Sequence, residues 1–388
     1  MGNSLLSLAG NKGADRSGVH ARVDSLGGDR EIATFTVTTP RGSVSGKNFM
    51  QRHSGLLLSK LPVVAAVVAL LILMCLSPFF RTSPPFADTR TITHSIDCVL
   101  AGQDPYVVRT FDPWNRVYNY PPIWLDARYL GVASRSSNFI GTMMAIAMAG
   151  TLLVLFNART WLSATIIFFA VLSRPVLFAM ARGNTDQIVF FLLVFGLFWI
   201  ARQRTDLKSS LKVTLIVLLT ILKIYPVAAV AIFIRQRKGA LTAIVTAILS
   251  IAALLVTAGH SLPVLLGNTP RDSRLSFGAY PFFLAISQST VRHAVPLIQS
   301  SRLVAPIGAV VLGTFAMLAG AALGSRLDRF LPPLDFDAPR GCIAIACLAI
   351  FCFTFASGAS YNYRLIFLLG ALAYLVDDMG RGVTLRSF

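Results

Sequence analysis

The chain has 388 residues, 55% of them hydrophobic and 13% charged, with a mean hydropathy of +0.66. Soluble domains carry about 25% charged residues, so this composition excludes a soluble protein and leaves a large polytopic membrane domain with no room for a sizeable soluble one. The net charge of +18 is scattered over many short loops; that excludes one nucleic-acid-binding patch and reads as Lys and Arg retained on the cytoplasmic side, beside anionic lipid.

Residues 1–55 are rich in Gly, Ser, Thr and Arg, have no sustained apolar period, and are expected to form a disordered cytoplasmic tail. Met1-Gly2 opens like a myristoylation signal, but Leu6 stands where Ser or Thr is required. Lys47, Arg52 and Lys60 flank the first apolar segment, 61–80, and hold its leading end in the cytoplasm. No cleavage pattern precedes that segment, which reads as a retained span. Residues 81–136 then form a long outer connection. Its short apolar stretches, 96–101 and 123–132, suit helices lying along the interface. Further spans are expected at 138–156, 161–180 and 187–201, followed by the basic, cytoplasmic loop 202–212. The segment 213–234 has basic loops on both sides and Lys223-Ile224-Tyr225-Pro226 at its middle. Proline bends a helix, so this segment reads as two half-helices that meet at the outer side and line a cavity. Spans at 240–258, 303–323, 342–355 and 365–376 follow. Residues 260–302 make a second outer connection with a shallow segment at 280–286, while 326–340 and the C-terminus fall inside. The expectation is an all-α, polytopic integral membrane protein of roughly 10–11 transmembrane or half-membrane helices. Its divisions are a tail 1–55, a membrane domain 56–378 and a short cytoplasmic tail 379–388.

The cysteines, Cys75, Cys98, Cys342, Cys347 and Cys352, sit mostly in apolar segments without CxxC or metal-ligand spacing. That pattern speaks against a disulfide framework or a metal site. Glu31, in the tail, is the one glutamate, so acid–base chemistry in the membrane domain falls to aspartate or histidine. The outer-face aspartates are Asp88, Asp97, Asp104, Asp112, Asp126, Asp186 and Asp272. Asp88 follows the first span closely, at headgroup level, where a hydroxyl on a lipid-linked sugar can reach it as a general base. An Asp before Thr-Arg-Thr-Ile equally suits a helix N-cap. Gly102-Gln103-Asp104-Pro105-Tyr106 is a turn, and Tyr118-Asn119-Tyr120-Pro121-Pro122 is another rigid element. Their rings are either belt anchors or platforms for a sugar. In Arg182-Gly183-Asn184-Thr185-Asp186, Asn or Asp can cap a helix beginning at Gln187. Arg182 opposes the charge rule on an outer loop and suits a phosphate. Lys223 either snorkels to the headgroups or contacts a substrate phosphate. Tyr361-Asn362-Tyr363-Arg364 again sets aromatics beside an arginine, and His94, His260 and His293 are scattered without ligand spacing. A carboxylate near the interface, a few cations and many aromatics suit transfer of a sugar from a lipid phosphate. There is no Walker loop, no Gly-rich dinucleotide turn and no cytoplasmic domain for a nucleotide.

The order and spacing of these motifs resemble glycosyltransferase family 87 (DUF2029), the polyprenyl-phosphate-mannose-dependent mannosyltransferases of the GT-C superfamily. The resemblance covers about residues 60–376 and rests on Asp88, Gly102-Gln103-Asp104-Pro105-Tyr106, Tyr120-Pro121-Pro122, Arg182-Gly183-Asn184 and Lys223-Ile224-Tyr225-Pro226. The last two also resemble motifs of the eukaryotic GPI mannosyltransferases. What the resemblance implies is a GT-C-like fold and an inverting, metal-independent transfer without a cofactor. A hexose, mannose first, would move from polyprenyl phosphate to a lipid-linked or surface glycan acceptor. Asp88 would be the base. Arg182, Lys223 and Arg364 would bind the donor phosphate, and Asp104, Tyr106, Tyr120, Asn184, Tyr225 and Tyr363 would line the sugar and acceptor sites. The family has aromatics soon after its Asp, whereas this chain has Thr89-Arg90-Thr91, which keeps Asp97 as a rival to Asp88. The implied setting is an inner (plasma) membrane, with the N-terminus cytoplasmic and the site facing outward. A transporter or flippase of polyprenyl-linked lipid, using the same cations without a base, is the competing expectation. A non-catalytic scaffold is a third.

Overall fold

The structure, a computed structural model, describes residues 46–76, 84–234, 239–268, 276–277, 338–357 and 360–379. The chain divides into two units, Met1–Gly55 and Leu56–Phe388. The described residues are mostly helical. In chain order the helices are α1 Gly46–Leu76, α2 Ala87–Leu100, α3 Ser137–Leu155, α4 Trp161–Val171, α5 Arg174–Arg182, α6 Asp186–Ala201, α7 Thr205–Leu222, α8 Gly239–Ala258, α9 Leu262–Asn268, α10 Pro339–Ser357 and α11 Leu368–Met379. Three 3-10 segments matter for the site or its support: Pro122–Leu130, Tyr225–Phe233 and Asn362–Phe367. Two short strands, β1 Ser276–Phe277 and β2 Ser360–Tyr361, pair antiparallel with Ser276 opposite Tyr361.

Four described helices are long and apolar enough to cross a bilayer: Leu58–Leu76 within α1, Ser134–Leu155 (α3 with the turn before it), α8, and α10 from Pro339 to Ala356. Counting α4 and α5 as one bent span makes five. The sequence expectation of 10–11 counted several segments that the structure treats differently. The expected span 161–180 is broken, with α4 and α5 meeting at 43°. Pro175 sits in the first turn of α5, where its missing N–H is harmless but where a continuous helix would lose a bond. α6 has 16 residues, about 24 Å, less than a straight bilayer crossing needs. α7 starts at Thr205, within the expected basic loop. The expected stretch 96–101 is only the end of α2, and 123–132 is a 3-10 segment. α1 begins at Gly46, inside the expected tail. The expected span 303–323 and shallow segment 280–286 lie outside the described residues, as does most of the tail.

Helix α8 carries the inverse of the pattern usual in water. Thr246 and Ser250 are wholly buried, while Ile244, Ile248 and Leu255 are exposed. A helix in water hides its apolar stripe. One packed in lipid turns small and polar residues inward, where they let neighbouring backbones approach. The main core gathers Met148, Phe190, Phe233 and Phe367 among its large buried side chains. A satellite core of Ile92, Ile96, Tyr118, Tyr120 and Leu125 fixes α2 beneath the loop that follows it. Trp124 ties that loop inward by donating from Nε1 to the Leu222 carbonyl at 3.0 Å. That carbonyl closes α7 at the break the Lys223–Pro226 sequence foretells, for Lys223 is extended and Pro226 sits in the first turn of the 3-10 segment that Tyr225 opens.

Candidate functional site

The site is built on one unusual turn. Phe86 precedes α2 in the left-handed region, at φ 60 and ψ 50, and makes no side-chain cap. Its N–H donates to the Ala181 carbonyl at 3.0 Å. Its ring occupies the space that a Cβ on Gly141 would need, and its Cβ lies 3.0 Å from where a Cβ on Gly183 would fall. Gly183 is itself left-handed, at φ 58, as the C-cap of α5. A Cβ there would collide with Thr89 Oγ1, which donates to the Gly183 carbonyl at 2.8 Å. Glycine is therefore required twice over, for its conformation and for the close approach. The first turn of α2 docks on the end of α5 and faces α3.

That docking sets Asp88 between Arg182 and Asn184. Arg182 Nε lies 3.1 Å from both carboxylate oxygens and Nη2 lies 2.5 Å from Oδ1. Asn184 Nδ2 donates to Oδ2 at 2.5 Å. Arg116 Nη1 stands 3.6 Å away. Asp88 is 4% exposed. Burial pushes its carboxyl up, but the charge and hydrogen bonds of Arg182, then Asn184 and the charge of Arg116, outweigh burial and hold it below the ordinary carboxylate range. Asp88 is in the first turn of α2 and Phe86 is the N-cap, so the expectation of Asp88 as a cap is not met.

Arg116 is a residue the sequence reading missed. Asp112 grips it through Nε at 3.1 Å and Nη2 at 2.9 Å, and Arg116 donates onward to the Ala87 carbonyl at 2.8 Å. Its guanidinium lies 4.6 Å over the Trp114 ring. Asp112 also accepts from Thr91 Oγ1 at 3.1 Å and from the Trp114 N–H at 2.8 Å. An i,i+4 Asp–Arg pair is a recognisable signal on a helix, but residues 112–116 are not helical, so the spacing carried no message.

Asn184 bridges to a second charged centre. Its Oδ1 accepts from the Asp186 N–H at 2.8 Å and from Lys223 Nζ at 3.4 Å. The helix begins at Asp186, its N-cap is Thr185 and that residue makes no side-chain cap, so the cap foreseen here for Asn or Asp is not met. Asn184 instead closes an Asx turn onto the Asp186 N–H and serves Asp88 with its other end. Asp186 Oδ1 pairs with Lys223 Nζ and accepts from Tyr225 OH at 2.6 Å, and Arg364 Nε lies 3.6 Å from Oδ2. Lys223 is 9% exposed and points at this carboxylate, so it does not snorkel. Its ammonium is 5.5 Å from the Tyr120 ring centre, and Arg364 lies 5.2 Å over Tyr225. Tyr106 packs edge-on to Tyr118 at 5.1 Å and donates from OH to the Tyr120 carbonyl at 3.1 Å. Burial, with help from the charge of Asp104, pushes the Tyr106 phenol up to about 12.

Asp88, Arg182, Asn184, Lys223, Tyr225, Arg364 and, at the edge, Tyr120 are thus brought together. Among the described residues four cations (Arg116, Arg182, Lys223, Arg364) meet three carboxylates (Asp88, Asp112, Asp186), which leaves one positive charge in surplus. Asp104 stays outside this centre: it is exposed and accepts from the Tyr106 N–H at 2.9 Å, a turn contact. Asp97 lies nine residues beyond Asp88, about 13 Å along the helix, and accepts from the Ser134 N–H at 3.3 Å. The backbone of Tyr363 lies on the segment that delivers Arg364, and its side chain is outside the described residues, as are Asp272 and His293. Among the described residues no group of three His, Cys, Asp or Glu side chains is close enough to hold a metal ion. No family model matches the chain, and no curated protein or solved structure matches it.

Proposed function

We propose that this protein is a multi-pass membrane glycosyltransferase that moves a hexose, mannose first, from a polyprenyl phosphate to a lipid-linked or surface glycan acceptor. The observation that supports this reading best is the buried centre around Asp88 and Asp186, with more positive than negative charge and aromatic rings at its edge. Arginine forks and a lysine suit a phosphate, and rings suit a sugar face. The resting pair of Asp88 with Arg182 supplies an order of events. An incoming donor phosphate competes for the Arg182 fork. Asp88 then loses the charge that holds its carboxyl down, and its proton affinity rises toward that of a working base. The acceptor O–H passes its proton to Asp88 as the acceptor oxygen bonds to the sugar C1. The C1–O bond to phosphate breaks on the opposite face, and the electron pair leaves with polyprenyl phosphate, beside Lys223 and Arg364. The anomeric carbon is inverted, and no metal is called for.

The same resting clamp favours a second reading, transport or flipping of a polyprenyl-linked anionic lipid, because a carboxylate locked to arginine serves charge balance without acting as a base. Membranes holding the wild type or Asp88→Asn separate the two. Given polyprenyl phosphate carrying radiolabelled mannose, with a chelator present, the wild type alone should pass label into new glycolipid. Equal incorporation by a folded Asp88→Asn variant would overturn the role of Asp88. Lipid movement that survives the substitution, without incorporation by either protein, would establish the transporter.

A further inference from the structure

Helices α6 and α7 run from the Asp88–Asp186 centre to a second polar feature at their other ends, where α10 begins. There a cavity of about 390 Å³ opens, within the roughly 300–1,000 Å³ range of small-molecule sites. Thr205, Lys208, Ser209 and Lys212 line it. Their spacing is i, i+3, i+4, i+7, which is one face of α7. Lys212 is 8% exposed, and among the described residues its ammonium has one contact, Cys342 Sγ at 3.4 Å. A thiol is a poor acceptor, and a buried ammonium without a counterion is costly. Lys208, four residues earlier and half-buried on the same face, adds a like charge that repels it. Among the described residues, Asp206 on the same helix offers no relief: it is exposed and lies 3.6 Å from Arg204, which is also exposed. The first turn of α7 adds the positive end of a helix dipole. Leu197 and Ile200 give the cavity an apolar wall.

We propose that this cavity binds a phosphate group, with Lys212 as its deep contact, Lys208 at the mouth and the hydroxyls of Thr205 and Ser209 as further donors. It is separate from the Asp88 centre and independent of what that centre does. A lipid headgroup and a free phosphate share this chemistry.

The test uses the full chain in phosphatidylcholine nanodiscs and radiolabelled probes: dihexanoyl phosphatidic acid, inorganic phosphate and, as control, dihexanoyl phosphatidylcholine. Expected is a saturable component that Lys212→Met weakens at least tenfold and that Arg182→Gln, in the other centre, leaves in place. Binding of phosphatidic acid alone identifies a lipid headgroup; binding of inorganic phosphate as well identifies a site for free phosphate. An isotherm for folded Lys212→Met that superimposes on wild type overturns the proposal, and so does equal binding of phosphatidylcholine. If Lys212→Met does not fold, Lys208→Gln carries the test: weakening of about threefold supports the site, and unchanged affinity overturns it.

Discussion

The two ends of α6 and α7 bury cations in opposite ways. At the end where α6 begins, Lys223 meets Asp186, Arg182 meets Asp88, and Arg116 is gripped by Asp112. At the end where α7 begins, Lys212 meets a thiol. The first arrangement is a network whose members fix one another, with Asn184 joining its halves. The second is a charge that the described chain leaves unanswered. A buried charge with a partner in the fold is a device of shape and pKa; a buried charge without one among the described residues is a place for a counterion.

The comparison predicts unequal responses to removing a charge. Asp186→Asn should cost most, about 3–5 kcal/mol of unfolding free energy, because it leaves buried Lys223 without its counterion. Denaturation in mixed micelles of increasing SDS content measures this, and adding Lys223→Met should recover much of the loss. A cost below 1 kcal/mol for Asp186→Asn would mean that the network is not electrostatically closed. Next comes Gly183→Ala. Left-handed strain alone costs about 1–3 kcal/mol, and the collision with Thr89 Oγ1 adds to it. Because that collision shifts the first turn of α2, the proposed transfer should fall along with stability. Loss of stability with full transfer would show that Asp88 does not depend on this docking.

Some of this was legible beforehand. The break at Lys223–Pro226 was readable because Pro cannot continue a helix and says so locally. The span at α8 was readable because its apolar run is uninterrupted. The Arg182-Gly183-Asn184 turn stood out because its loop was expected outside, where an arginine runs against the charge rule. What escaped notice depends on distance in sequence. Arg116 reaches an Asp88 that lies in a different element, and nothing local to either announces the other. A left-handed Phe86 has no sequence mark, since glycine and asparagine are the usual occupants; its ring is accommodated by the absence of a side chain at Gly141. Lys212 was read only as part of a basic loop, because α7 was expected to start later.

A smaller effect follows from Asp88 itself. Its carboxyl is held below the unfolded value of 3.8, so the folded state binds that proton less tightly than the unfolded chain does. The resulting stability is present above the unfolded value and is lost as pH falls through it toward the lower folded value. Thermal melts across acid pH should show wild type losing stability in that window and Asp88→Asn following a flatter profile. Identical profiles would remove the Arg182 pair from the account of stability.

The smallest effect is the most discriminating between the two ends. Lys212→Met keeps most of the aliphatic stem and removes a charge whose described contact is Cys342 Sγ. No carboxylate is orphaned by the change, so the penalty that Asp186→Asn incurs has no counterpart here. The buried ammonium's desolvation cost disappears, and repulsion from Lys208 goes with it. Unfolding free energy should therefore stay within about 1 kcal/mol of wild type, with the shift toward greater stability, in membranes free of anionic lipid and phosphate. In the presence of a bound anion the order should reverse, because a ligand that prefers the folded wild type stabilises it by mass action. A loss of several kcal/mol in the absence of any anion would instead place Lys212 in a closed network like that of Lys223, and the difference between the two ends would vanish.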